Sequence, residues 1–66
     1  MPRFQLTLWS KSVGYIELFA NSFPALLMRQ NELLRELGER IEKDRYYSIT
    51  TMIDGIIVSK VGNYEQ

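Results

Sequence analysis

The chain has 66 residues, eight of them basic and eight acidic, so its formal net charge is zero, and it contains neither cysteine nor histidine. That length makes one domain with a modest core, and the composition excludes disulfides, thiolate metal sites and the commonest general base. A domain this small without such staples gains stability most simply by association, so a homodimer is expected.

The charge balance bears on partners. A dedicated nucleic-acid binder carries a basic excess to displace counterions, and this chain has none. No apolar run approaches the roughly 20 residues that span a bilayer. Met1-Pro2-Arg3-Phe4 alternates from the start and has no signal-peptide core, so no membrane role and a cytoplasmic location are expected.

Residues 3–10 alternate, with Phe4, Leu6 and Leu8 set against Arg3, Gln5, Thr7 and Trp9, which predicts a half-buried strand. Residues 15–20 predict a second, with Ile16, Leu18 and Ala20 on one face and Tyr15, Glu17 and Phe19 on the other. Gly14 suits the left-handed end of a three-residue loop, Ser12-Val13-Gly14. That loop would pair Lys11 with Tyr15, Leu8 with Leu18 and Leu6 with Ala20. The parity of the pairing is specified, because a one-residue slip would put the two apolar sets on opposite faces.

Asn21-Ser22 offers a helix N-cap and Pro24 suits a first turn. From about 24 to 43, Phe23, Leu27, Gln30, Leu34, Leu37 and Ile41 step by four and three, with Leu26 and Leu33 flanking, which predicts an amphipathic helix. The opposite face carries Arg29, Glu32, Arg35, Glu36, Glu39, Arg40, Glu42 and Lys43, with Glu36–Arg40 and Glu39–Lys43 in the favourable orientation. At about 1.5 Å per residue the helix spans roughly 30 Å, long enough to cover a small sheet from end to end.

Residues 46–61 predict a hairpin around Asp54-Gly55, a type I′ turn signal. A two-residue loop pairs Ile53 with Ile56, Thr51 with Val58 and Ile49 with Lys60. The other face then pairs Met52 with Ile57, Thr50 with Ser59 and Ser48 with Val61. Residues 62–66 are expected to be a frayed tail. The whole chain, 1–66, therefore reads as a single α+β domain of order ββαββ: a four-stranded antiparallel sheet with one long amphipathic helix packed across one face.

One helix hides one side of a sheet, and the other side should then be polar. Here the helix side takes Phe4, Leu6, Leu8, Ile16, Leu18, Tyr47, Ile49 and Ile53, yet the far side keeps Trp9, Tyr15, Phe19, Tyr46, Met52, Ile57 and Val61 among Thr7, Ser48, Thr50, Ser59 and Glu17. Aromatics and Met interleaved with small hydroxyls describe a protein interface. Trp9, Tyr15, Phe19, Tyr46, Met52 and Ile57 are the predicted partner-binding residues.

Catalysis has little to draw on. Five of the eight carboxylates (Glu32, Glu36, Glu39, Glu42 and Asp44) lie between 32 and 44, where they read as a solvated salt-bridge face. Asp54 belongs to its turn, and Glu17 alone is not a dyad. Gly14, Gly38, Gly55 and Gly62 are dispersed, so there is no phosphate loop, and Gly38 inside the helix reads as a site of close packing. Pro2, if exposed by loss of Met1, would resemble the N-terminal base of small tautomerases. That family, however, runs from strand directly to helix and carries arginines that have no counterpart here. No catalytic, cofactor-binding or metal-ligating residue is predicted.

The alternative function is a nucleic-acid-binding domain, with Arg3, Lys11 and Lys60 beside Trp9, Tyr15 and Tyr46 as a stacking platform. The expected function is a small non-catalytic interaction module that binds a larger protein as inhibitor, adaptor or small subunit. In size and architecture it resembles phage-encoded inhibitors of host proteins and small subunits of large assemblies.

Overall fold

The computed structural model describes residues 3–63. Five elements follow in chain order: β1 (Phe4–Ser10), β2 (Gly14–Ala20), α1 (Phe23–Lys43), β3 (Tyr47–Ile53) and β4 (Ile56–Asn63). The strands form one antiparallel sheet in the order β2-β1-β3-β4, and α1 packs against one face. The fold is thus the expected ββαββ α+β arrangement.

Local chemistry sets the boundaries of each element. Ser22 has extended backbone, and its Oγ accepts the Ala25 N–H at 3.3 Å while Pro24 occupies the first turn. At the far end the Asp44 N–H donates to the Ile41 carbonyl at 3.1 Å, and Arg40 and Lys43 occupy the last turn, where the helix dipole favours cations. Asp54 and Gly55 both have positive φ, 52° and 81°, as a type I′ turn requires.

The core lies between α1 and the β1–β2 half of the sheet. Leu6, Leu8, Ala20, Leu26 and Ile41 are buried there, and Phe4, Ile16, Leu18, Leu33, Leu37, Tyr47 and Ile49 pack around them. Burying a leucine-sized side chain contributes roughly 1.5–3 kcal/mol, so so few buried groups hold the fold with little to spare. Leu26 is fully buried and the Phe23–Leu27–Leu34 row is not, although the sequence spacing gives that row the leading place. The apolar arc of the helix is wide, ~120° from Leu33 to Leu27 at 3.6 residues per turn. Its Leu26–Leu33–Leu37 edge meets β1 and β2, and its Phe23–Leu27 edge turns toward β3 and β4.

Both hairpins differ from expectation in register. In the first, Leu8 pairs with Ile16 rather than Leu18, Leu6 with Leu18 rather than Ala20, and Gly14 opens β2 opposite Ser10. The buried Ser10 Oγ accepts the Val13 N–H at 3.1 Å and closes the loop over Lys11-Ser12-Val13. The shift is two residues, so every side chain keeps its expected face.

In the second hairpin Ile53–Ile56 and Met52–Ile57 pair as expected, and then a bulge intervenes between Thr51 and Met52. Beyond it Thr51 pairs with Ser59, Thr50 with Lys60 and Ile49 with Val61. An unbroken ladder would have set Lys60 beside Ile49 on the core side. The bulge sends the charge to the far face and brings Val61 to the helix side. Gly62 and Asn63, expected in a loose tail, continue β4 opposite Ser48 and Tyr47; the rest of that tail, 64–66, lies outside the described residues.

Two glycines now have opposite meanings. At Gly62 φ is +153°, and a Cβ would collide with the Tyr47 carbonyl oxygen and lie 2.8 Å from the Ser48 Cα. At Gly38 a Cβ would meet nothing within 4 Å, so no close packing requires it. Thermal denaturation should therefore separate them. Gly38→Ala is expected to gain up to about 1 kcal/mol from helix propensity, and Gly62→Ala to lose roughly 1–3 kcal/mol.

Candidate interaction surfaces

The register sorts the far face of the sheet into three rows running from β2 to β4. One is Tyr15–Trp9–Ser48–Gly62, the middle one is Glu17–Thr7–Thr50–Lys60, and the third is Phe19–Gln5–Met52–Ile57. Trp9 is 41% exposed, Tyr15 60%, Phe19 42% and Ile57 57%. A β-strand alternates its faces, so these side chains point to solvent because Leu6, Leu8, Leu18 and Ala20 point to the helix.

Of the predicted partner-binding residues, Trp9, Tyr15, Phe19, Met52 and Ile57 share this surface, with Met52 half-buried among its neighbours. Tyr46 stands just before β3, half-buried, with the Arg45 guanidinium 5.7 Å from its ring centre. Val61, also placed on the far face by the sequence pattern, lies on the helix side because of the bulge.

A second apolar surface was missed by the sequence reading. Because α1 packs on β1 and β2, a groove of about 470 Å³ remains between the helix and the β3–β4 half, lined by Phe23, Leu27, Leu34, Ile49, Val58 and Val61 among others. A shallower extension of about 250 Å³ runs on past Gly38 to Tyr47. The edge strand β4 is exposed along its whole length, with Ile56 68%, Val58 53% and Val61 56% accessible. Strand order decides this surface, and nothing local encodes strand order. The available hint was Ile56-Ile57-Val58, whose failure to alternate marks a bulge.

Polar groups hold the corners of the sheet. Arg3 forks onto Asp54, with Nε 3.1 Å from Oδ1 and Nη2 3.1 Å from Oδ2, and the Arg3 carbonyl accepts the Asp54 N–H at 2.8 Å. The start of β1 is thereby tied to the β3–β4 turn. The carboxylate raises the Arg3 guanidinium pKa, and the Arg3 hydrogen bonds lower that of Asp54. At the opposite end the Asp44 Oδ2 accepts the Ser12 N–H at 3.1 Å and the Ser12 Oγ–H at 2.8 Å, and Arg40 donates to the Ser12 carbonyl at 3.2 Å. The Ser12 backbone hydrogen bond, then its hydroxyl, hold the Asp44 carboxyl below its ordinary value. Asp44 therefore clasps the β1–β2 loop rather than joining the solvated helix face expected of it.

On the far face Tyr15 donates its hydroxyl to Glu17 at 2.9 Å, which raises the Tyr15 pKa. Among the described residues no cluster of three acidic side chains is placed to hold a metal ion, and no helix is long and apolar enough to cross a membrane. Pro2 lies outside the described residues. Comparison with protein families, with characterised proteins and with solved structures returns no match for this chain.

The carboxylates supply a pH signature. Asp44 and Asp54 both have lowered pKa values in the folded chain, so each contributes stability above its unfolded pKa, ordinarily 3.8, and that contribution is lost as pH falls through the lowered value. The thermal midpoint is expected to fall as the pH is taken below that unfolded value. Asp44→Asn should lower the midpoint at neutral pH and shrink that acid-side drop, as read by circular dichroism at each pH.

Proposed function

We propose that this chain is a small, non-catalytic protein-interaction module that works through the far face of its sheet. It self-associates there and serves a larger protein, in the cytoplasm, as an inhibitor, adaptor or small subunit. The observation that carries the reading is the far face, on which Trp9, Tyr15, Phe19 and Ile57 all stand between two-fifths and two-thirds exposed. Exposed clusters of large apolar side chains mark docking surfaces, and Trp and Tyr are the side chains most often found as binding anchors.

Protein is favoured over nucleic acid by the charges on that face. Its middle row ends in one acid, Glu17, and one base, Lys60, and Arg3 is engaged by Asp54. A phosphate backbone would meet no positive stripe there.

Trp9→Ala tests the reading. It should weaken self-association by roughly tenfold or more, in the range of anchor-residue substitutions, while leaving the helical circular dichroism signal unchanged. Light scattering coupled to size exclusion reads the first effect. An unchanged assembly state, or binding to nucleic acid that falls steeply with salt, would remove the far face as a protein-docking surface.

A further inference from the structure

Resting on the reading of the far face as a docking surface, we infer that its occupant is a second copy of this chain, related by a two-fold axis parallel to the strands. The three rows of the face carry this inference, because the residues at the two ends of each row match when it is read backwards. A two-fold along the strands turns the second sheet over and reverses its strand order, so β2 of one copy lies over β4 of the other and each row meets its own reversal.

In the middle row Glu17 then faces Lys60 of the second copy, and Thr7 faces Thr50. In the first row the bulky Tyr15 lies over Gly62 and the bulky Trp9 over Ser48. In the third, Phe19 meets Ile57, and the amide of Gln5 lies over the thioether of Met52. Charge meets opposite charge, large meets small and apolar meets apolar, in a single operation. The sheets need not be parallel to better than about 30°, the usual angle of aligned packing, and a shift of a few Å at the edges is within reach of a lysine side chain.

The other face-to-face two-fold, perpendicular to the strands, fails on the same residues. It would set Glu17 on Glu17 and Lys60 on Lys60, and the aromatic row on the Phe19 row. The area is of the order that a small, weak dimer buries. Four strands about 4.8 Å apart and seven residues of about 3.3 Å give a face of roughly 440 Å² in flat projection on each copy. Counted on both copies, and with the relief of side chains added, that approaches the ~1,200 Å² at which stable interfaces begin. The zero net charge of the chain sets no long-range repulsion against pairing.

Charge reversal separates the possibilities. Wild-type protein should sediment as a dimer, twice the 7.8 kDa of the chain. Glu17→Lys and Lys60→Glu should each weaken the dimer about tenfold, since each turns two symmetry-related attractions into repulsions. The double variant E17K/K60E should restore it. Both positions are exposed, and circular dichroism of each variant checks that the fold is kept.

A second measurement needs no variant. Glu17 and Lys60 of one chain are three strand spacings apart, ~14 Å, too far for a zero-length carbodiimide link within it. An isotopically mixed sample should therefore give a Glu17–Lys60 cross-linked peptide carrying one light and one heavy half. A monomer at high micromolar concentration, or single reversals that weaken the dimer and a double that does not recover it, would overturn the inference. If the wild type is dimeric and Trp9→Ala still dissociates it while the charge reversals do nothing, the two-fold is wrong but the docking face stands.

Discussion

A helix about 10 Å across cannot cover a four-stranded sheet about 19 Å wide. The rest of this structure follows from that mismatch. α1 settles over the β2–β1 half, where Leu26 and Ile41 close on Leu6, Leu8 and Ala20, and the β3–β4 half goes without a roof. β4 is consequently exposed on both sides although it is rich in isoleucine and valine. Among the described residues no element packs on the far face, behind all four strands. The exposed apolar groups of that face are the ones the proposed second copy would cover.

Two polar clasps make the thin fold definite. The Arg3–Asp54 fork joins the start of β1 to the tip of the β3–β4 hairpin, and Asp44 joins the end of the helix to the β1–β2 loop. Both lie at corners, where hydrogen bonds fix the path of the chain without burying charge. The two charges of the middle row, Glu17 and Lys60, are of another kind: they stand at opposite edges of the far face, where they can specify the orientation of a partner.

Much of this was legible in the sequence because the relevant signals are local. Alternation assigned each residue of β1 and β2 to its face, Ser22 and Pro24 marked the helix start, and Asp54-Gly55 marked the second turn. Trp9, Tyr15, Phe19, Met52 and Ile57 were accordingly placed together correctly. What escaped depends on contacts between distant segments. Ser10 closing its loop moved the first hairpin by two residues without changing a single face, so no hydrophobic pattern could reveal it. The bulge opposite Thr51 and Met52 was harder, because it reverses parity midway along β4 and carried Val61 and Lys60 to sides opposite those expected. Strand order, which leaves Phe23 and Leu27 lining a groove, has no local signature at all.

Trp9 is the one tryptophan of the chain and stands in the far face, 41% exposed. Its fluorescence therefore reports directly on whether that face is covered. On raising the concentration of the wild-type protein through the micromolar range, the emission should move to shorter wavelength and quenching by acrylamide should fall, both saturating as copies pair. Emission and quenching that stay constant and solvent-like across the whole titration would contradict the claim that this surface exists to be covered by a second chain.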